Sequence, residues 1–138
     1  MGCFTGSYYI RSQLNSVNKM YKIYGIPNCD TVKKVFTWMK EQKISFEFHD
    51  YKTMGITEKE LKNWCEQAGW ETIFNKRSTT YKELSPEIQA SITSAAKAIP
   101  VMLVHTSIIK RPVITKGDEV ILVGFDAKKY AEVLLSKR

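Results

Sequence analysis

Tyr21-Lys22-Ile23-Tyr24-Gly25-Ile26-Pro27-Asn28-Cys29-Asp30-Thr31-Val32-Lys33 is the stretch in which the chain changes its period. Its first half alternates polar and apolar residues with three β-prone members, which predicts a short strand ended by Gly25 and Pro27. Val32, Val35, Phe36 and Met39 then recur at the spacing of an amphipathic helix. Cys29 therefore stands where loop becomes helix. The first amides of a helix have no intrahelical partner and its dipole is positive there, so this position favours a thiolate over a thiol. A lone cysteine is usually a small buried hydrophobe. The polar run Asn28-Cys29-Asp30-Thr31 makes a poor core, however, and a good nucleophile site.

Towards the C-terminus the helix is expected to run from about Cys29 to Gln42. A strand follows, in which Phe46, Phe48 and Asp50 alternate with Glu47, His49 and Tyr51. Strand, helix and strand make a βαβ unit with parallel strands, and the C-terminal end of the first strand is the natural mouth of a site. Thr57-Glu58-Lys59-Glu60 has the pattern of a capping box, with Leu61, Trp64, Cys65 and Ala68 as the inner face of its helix and Gly69 as its cap. Cys65 on that stripe reads as a core residue. A short helical turn over 70–74 and a polar loop over 75–80 come next. Ser85-Pro86-Glu87 opens a further helix with Ile88, Ile92, Ala95 and Ala96 facing inward, and Pro100 is expected to open a separate short helix through His105. Residues 108–115 lead into a strand, Lys116-Gly117-Asp118-Glu119 is a turn, and residues 120–123 complete a hairpin. Asp126 caps a last helix that turns Tyr130, Val133 and Leu134 inward.

Composition narrows the class. With 138 residues, 43% hydrophobic and 25% charged, the chain is long enough for one well-cored globular domain. The net charge is +7, but Arg11 and Lys19 stand in an acid-free leader, so residues 20–138 carry 19 basic and 14 acidic residues. That modest excess, without basic runs interleaved with aromatics, argues against nucleic acid and suits a small anion. Cys3, Cys29 and Cys65 show no C-x-x-C spacing, so no metal site and no dithiol pair is expected, and reduced thiols fit a cytoplasmic protein. No apolar run is long enough for a membrane span. Residues 1–19 are polar and aperiodic and read as an extraneous or disordered leader before the domain 20–138, with nothing to assign to Cys3.

Three stretches in this order, Tyr24 to Thr31, Asn75-Lys76-Arg77 and Ile109-Lys110-Arg111-Pro112-Val113, resemble the ArsC-type arsenate reductase family and within it the YffB-like branch. Leu122-Val123-Gly124-Phe125 is similar to that branch too. The resemblance covers residues 20–138. It implies an α/β fold of thioredoxin-like (glutaredoxin-like) type, with a mixed sheet and a helical insert at about 57–105. It also implies a catalytic Cys29, arginines Arg77 and Arg111 that hold an anion, and a Pro112 that is cis and aims Arg111. Guanidinium forks suit such anions physically. Asn28 and Thr31 are expected to donate hydrogen bonds to the sulfur. Gly124 stands where arsenate reductases of this type carry a third arginine, which removes a charge from the site and argues against arsenate itself. Val32 occupies the second cysteine position of the Spx regulators, which rules out a dithiol switch.

The expected function is a monomeric, monothiol, glutathione-dependent reductase acting on a small anionic or disulfide substrate. No bound cofactor is expected, and glutathione, with glutaredoxin, supplies the resolving thiol. The alternative is a non-enzymatic, Spx-like protein-binding module. His49 is expected on a strand surface and His105 at a helix end, neither in the chemistry.

Overall fold

A computed structural model describes residues 20–135, and the leader assigned to residues 1–19 lies outside them. β1 (Tyr21–Gly25) runs inside a four-stranded sheet of order β2-β1-β3-β4. It pairs in parallel with β2 (Phe46–Asp50) and antiparallel with β3 (Val113–Lys116), which forms a hairpin with β4 (Glu119–Val123). α1 (Asp30–Glu41) connects the two parallel strands. The mixed sheet and its helices are the thioredoxin-like plan, as expected.

Register explains why both sheet faces are covered. Ile23 lies opposite Ile114, and Ile114 opposite Leu122. Because side chains alternate along a strand, these three share one face. They pack with Val35 and Met39 of α1 and with Tyr130 and Leu134 near the C-terminus. Tyr24 lies opposite Val113 on the other face, where the helical insert packs on them through Leu61, Trp64, Ile73 and Met102. Within the insert, α2 (Glu58–Ala68) has the full capping box of Thr57 and Glu60, and Gly69 ends it at φ +90°. α3 (Trp70–Ile73) follows at once. The hairpin turns at Gly117, φ +64°, a left-handed conformation that only glycine adopts without cost.

Four local expectations need correction. The loop over 75–80 gives way to α4 (Thr79–Glu83), which Ser78 caps by accepting from the Tyr81 amide; Tyr81 itself packs edge-on against Phe74. α5 (Pro86–Ser91) is a separate helix whose Ile88 is exposed, while Ile92 just beyond it is buried. Pro100 does not open a helix: α6 runs from Ala95 to Val104 with Pro100 inside it. Ala98, Ile99 and Met102, not Ala96, anchor α6 in the core, and that burial holds the helix together across the missing amide. Finally, β3 begins only at Val113, because the preceding backbone is committed to the insert: the Asn75 amide donates to Ile108 and the Lys110 amide to Ile73. The chain ends as foreseen, with Asp126 capping α7 (Ala127–Tyr130) and a wider turn over Ala131–Leu135. His105 caps the end of α6 as expected.

Gly25 sets how closely α1 can approach β1. A Cβ there would stand 2.9 Å from a methyl of Val32, closer than real carbon contacts allow. Gly25→Ala is therefore expected to cost about 1–3 kcal/mol of stability by overpacking. A urea titration that shows no fall in the midpoint would mean that the helix end yields freely.

Candidate active site

Cys29 is the N-cap of α1, extended at φ −144°, and its carbonyl accepts the first helical bond from the Lys33 amide at 3.0 Å. It is half-buried, and its side chain makes no capping hydrogen bond to the helix. Asn28 before it is exposed and Thr31 after it is half-buried in the first turn. Both adjoin Cys29 in the chain, but the hydrogen bonds to the sulfur expected of them are not seen among the described residues, and the Cys29 side chain makes none to the helix amides.

Arg111 is half-buried and joined to Pro112 by the cis peptide bond expected there. Its Nη1 donates to the Ser107 carbonyl at 3.1 Å, and the Ser107 hydroxyl shares a 2.7 Å hydrogen bond with Thr80 of α4. The insert thus grips the arginine from behind.

Tyr51 lies within electrostatic reach of both Arg111 and Cys29. It sits one residue beyond β2, only 1% exposed, with its amide bonded to the Gly25 carbonyl and its hydroxyl donating to Ile109 at 3.3 Å. Burial pushes its phenol well above the ordinary value of 10.0. The charge and the hydrogen bond of Arg111 oppose that shift, and the nearby Cys29 adds to it. Cysteine, tyrosine and arginine therefore share one electrostatic neighbourhood. Tyr51 was legible only as one position of an alternating strand. The available signal was its place at the C-terminal end of the strand beside β1.

Arg77 is placed differently. It is exposed on the turn after Asn75, whose Oδ1 accepts from the Arg77 amide at 3.1 Å. Phe74 bridges Ile109, so the Asn75–Arg77 turn lies alongside the segment that ends in Arg111. Arg77 lines a hollow of about 220 Å³ together with Lys110. Two of the stretches singled out in the sequence are thus neighbours in space, with Arg77 beside Lys110, while Arg111 and Cys29 both act electrostatically on Tyr51.

The remaining candidates lie elsewhere. Cys65 is buried on α2, and burial pushes its thiol up, as suits a core residue. His49 donates from Nε2 to the Gly55 carbonyl at 2.7 Å and packs against Tyr24, which gives it a structural use. Gly124 has φ +79°, donates its amide to the Pro112 carbonyl at 2.8 Å and accepts from the Tyr130 hydroxyl. A side chain there would be strained. Among the described residues no group of three or more His, Cys, Asp or Glu could hold a metal ion, and no helix is long and apolar enough to cross a membrane.

Comparison with known proteins gives the family. A solved structure of a YffB protein is 43% identical, covers 83% of this chain and 99% of its own, and superposes with a TM-score of 0.78. A solved arsenate reductase (ArsC) related protein from Brucella melitensis is 34% identical, covering 82% of this chain and 92% of its own, at a TM-score of 0.68. An uncharacterised protein of Haemophilus influenzae is 38% identical over 111 residues, 80% of this chain and 96% of its own. The ArsC family model matches residues 24–133, from the second half of β1 through Cys29, Tyr51 and Arg111 to the turn after α7, and the chain belongs to the ArsC family.

Proposed function

We propose that this chain is a monothiol, glutathione-dependent reductase with Cys29 as its nucleophile. The observation that carries the reading is the grouping of a helix-capping Cys29 with Tyr51 and the half-buried Arg111. In the reaction, the Cys29 thiolate attacks the glutathione sulfur of a mixed disulfide. The bond between Cys29 and that sulfur forms as the old disulfide breaks, and the departing thiolate takes a proton from water. A second glutathione thiolate then attacks the same sulfur, which releases glutathione disulfide and restores Cys29. Each turnover therefore consumes one free glutathione: the substrate sulfur leaves as a thiol, and the glutathionyl group it carried leaves joined to the incoming glutathione as the disulfide. Arg111 holds the anionic group of the incoming molecule with the N–H groups that Ser107 leaves open. Tyr51 steadies Arg111, and Asn28 and Thr31 border the sulfur. Cys65, buried and held protonated, is no resolving thiol, so the second thiol comes from outside, from glutathione or glutaredoxin. Arsenate is not the proposed substrate, because Gly124 leaves the site short of one guanidinium.

The test is exposure of the full chain to glutathione disulfide, with the adduct located by peptide mass. One glutathione on Cys29 and none on Cys65 is expected. Arg111→Ala should slow its formation by about 10²-fold, the loss seen when one preorganised donor is removed. Tyr51→Phe should slow it by about tenfold through misplacement of the arginine. A chain that forms no adduct, and whose Cys29 alkylates at the rate of an ordinary exposed thiol, would instead be a non-enzymatic binding module.

A further inference from the structure

We infer that the hollow between the Asn75–Arg77 turn and Lys110 is the seat of the γ-glutamyl head of glutathione, an inference that rests on the glutathione reading above. Glu71, Asn75, Lys76, Arg77 and Lys110 line this hollow of about 220 Å³. Three cations and one carboxylate are a poor match for a simple oxyanion, since Glu71 would repel it. They match an α-amino-acid head, whose carboxylate meets the cations while its ammonium meets Glu71. In glutathione only the γ-glutamyl end carries both groups. The glycine end offers a carboxylate alone.

The hollow adjoins the segment that leads into Arg111. Its two walls are stitched together by the Asn75 amide on Ile108 at 2.8 Å and the Lys110 amide on Ile73 at 2.7 Å. Lys110 is followed directly by Arg111, which shares Tyr51 with Cys29. Gly124 completes the arrangement. A Cβ built on it would meet the Lys110 stem, Cε, at 3.5 Å, so the lysine lies over a position where the backbone is bare. Lys110 passes over Gly124 and brings its charge to the lining of the hollow. A peptide-like thiol is served by this placement and a compact oxyanion is not. Lys76 has its Nζ 5.7 Å from the Trp70 ring centroid, which steadies one cation of the three.

Titration calorimetry on the full chain with unreactive S-methyl ligands tests this. S-methyl-γ-glutamylcysteine should keep most of the affinity of S-methylglutathione, and S-methylcysteinylglycine should lose about tenfold or more. Lys110→Ala and Glu71→Gln should each weaken S-methylglutathione by about tenfold, the scale of one charge-assisted hydrogen bond. Lys97→Ala, an exposed cation on α6 outside the hollow, should stay within about twofold. Tighter binding by Glu71→Gln, or a dipeptide order that favours the glycine end, would overturn the inference. If Cys29 takes up glutathione while Lys110→Ala and Glu71→Gln bind unchanged, the hollow alone is refuted. If the unaltered chain forms no adduct, the glutathione reading falls first and takes this inference with it.

Discussion

Cys29→Ser is expected to reduce glutathione-dependent disulfide reduction to background. Loss of the nucleophile in covalent catalysis acts on the order of 10⁶-fold, far beyond anything expected of Arg111 or Tyr51. A hydroxyl in this position is a weak nucleophile at neutral pH, and no neighbouring base has been placed to activate it. The fold should survive the exchange, because Cys29 caps α1 through its backbone and not its side chain. Serine is itself a favoured N-cap, so the thermal midpoint should hold or rise slightly. The measurement is turnover of a glutathione mixed disulfide coupled to glutathione reductase, with the melting curve recorded in parallel. Retained turnover in Cys29→Ser would remove the nucleophile assignment, whereas loss accompanied by unfolding would leave Arg111→Ala as the informative variant.

A second large effect is expected at high pH. Tyr51 and Tyr130 are each 1% exposed and Tyr24 is 7% exposed, and burial first of all raises the phenol of each far above 10.0. At Tyr24 the Glu60 carboxylate adds to burial. Because the folded values are raised, the unfolded chain ionises first. The stability contributed by the neutral phenols is complete below pH 10 and is lost progressively above it. Each tyrosine then removes about 1.4 kcal/mol per pH unit, roughly 4 kcal/mol for the three together. A domain with an ordinary stability of about 5–15 kcal/mol should therefore unfold within a few pH units above 10. Urea titrations between pH 8 and 11.5, followed by far-ultraviolet dichroism and by tyrosinate absorbance, check this. Tyrosinate absorbance that rises near pH 10 without loss of dichroism would show that the phenols ionise within the native fold. Tyr51→Phe and Tyr130→Phe should each make the decline less steep.

The unmatched Gly124 shows where composition and position meet. In the sequence it marks only a departure from the resemblance; in the structure it has φ +79°, and a Cβ there would meet the Lys110 stem. Tyr51 is the opposite case. Its importance depends on contacts with Gly25, Ile109 and Arg111 that are far from it along the chain, so no local period reveals it.

Local signals were enough to determine the strand and helix around Cys29, the capping box at Thr57, the cap at Asp126 and the hairpin turn, because each depends on neighbours within four or five residues. That the sheet is covered on both faces came from the structure, in which Ile23 and Ile114 pack towards α1 while Tyr24 and Val113 pack towards the insert. Only the tertiary structure decided that Pro100 lies within α6, where buried Ala98, Ile99 and Met102 outweigh one missing amide bond. It alone placed Arg77 beside Lys110, through amides of Asn75 and Lys110 that pair with the facing segment and not with the sheet. These are long-range choices between competing partners for the same backbone groups, and they are settled by which burial is larger when the whole chain is packed.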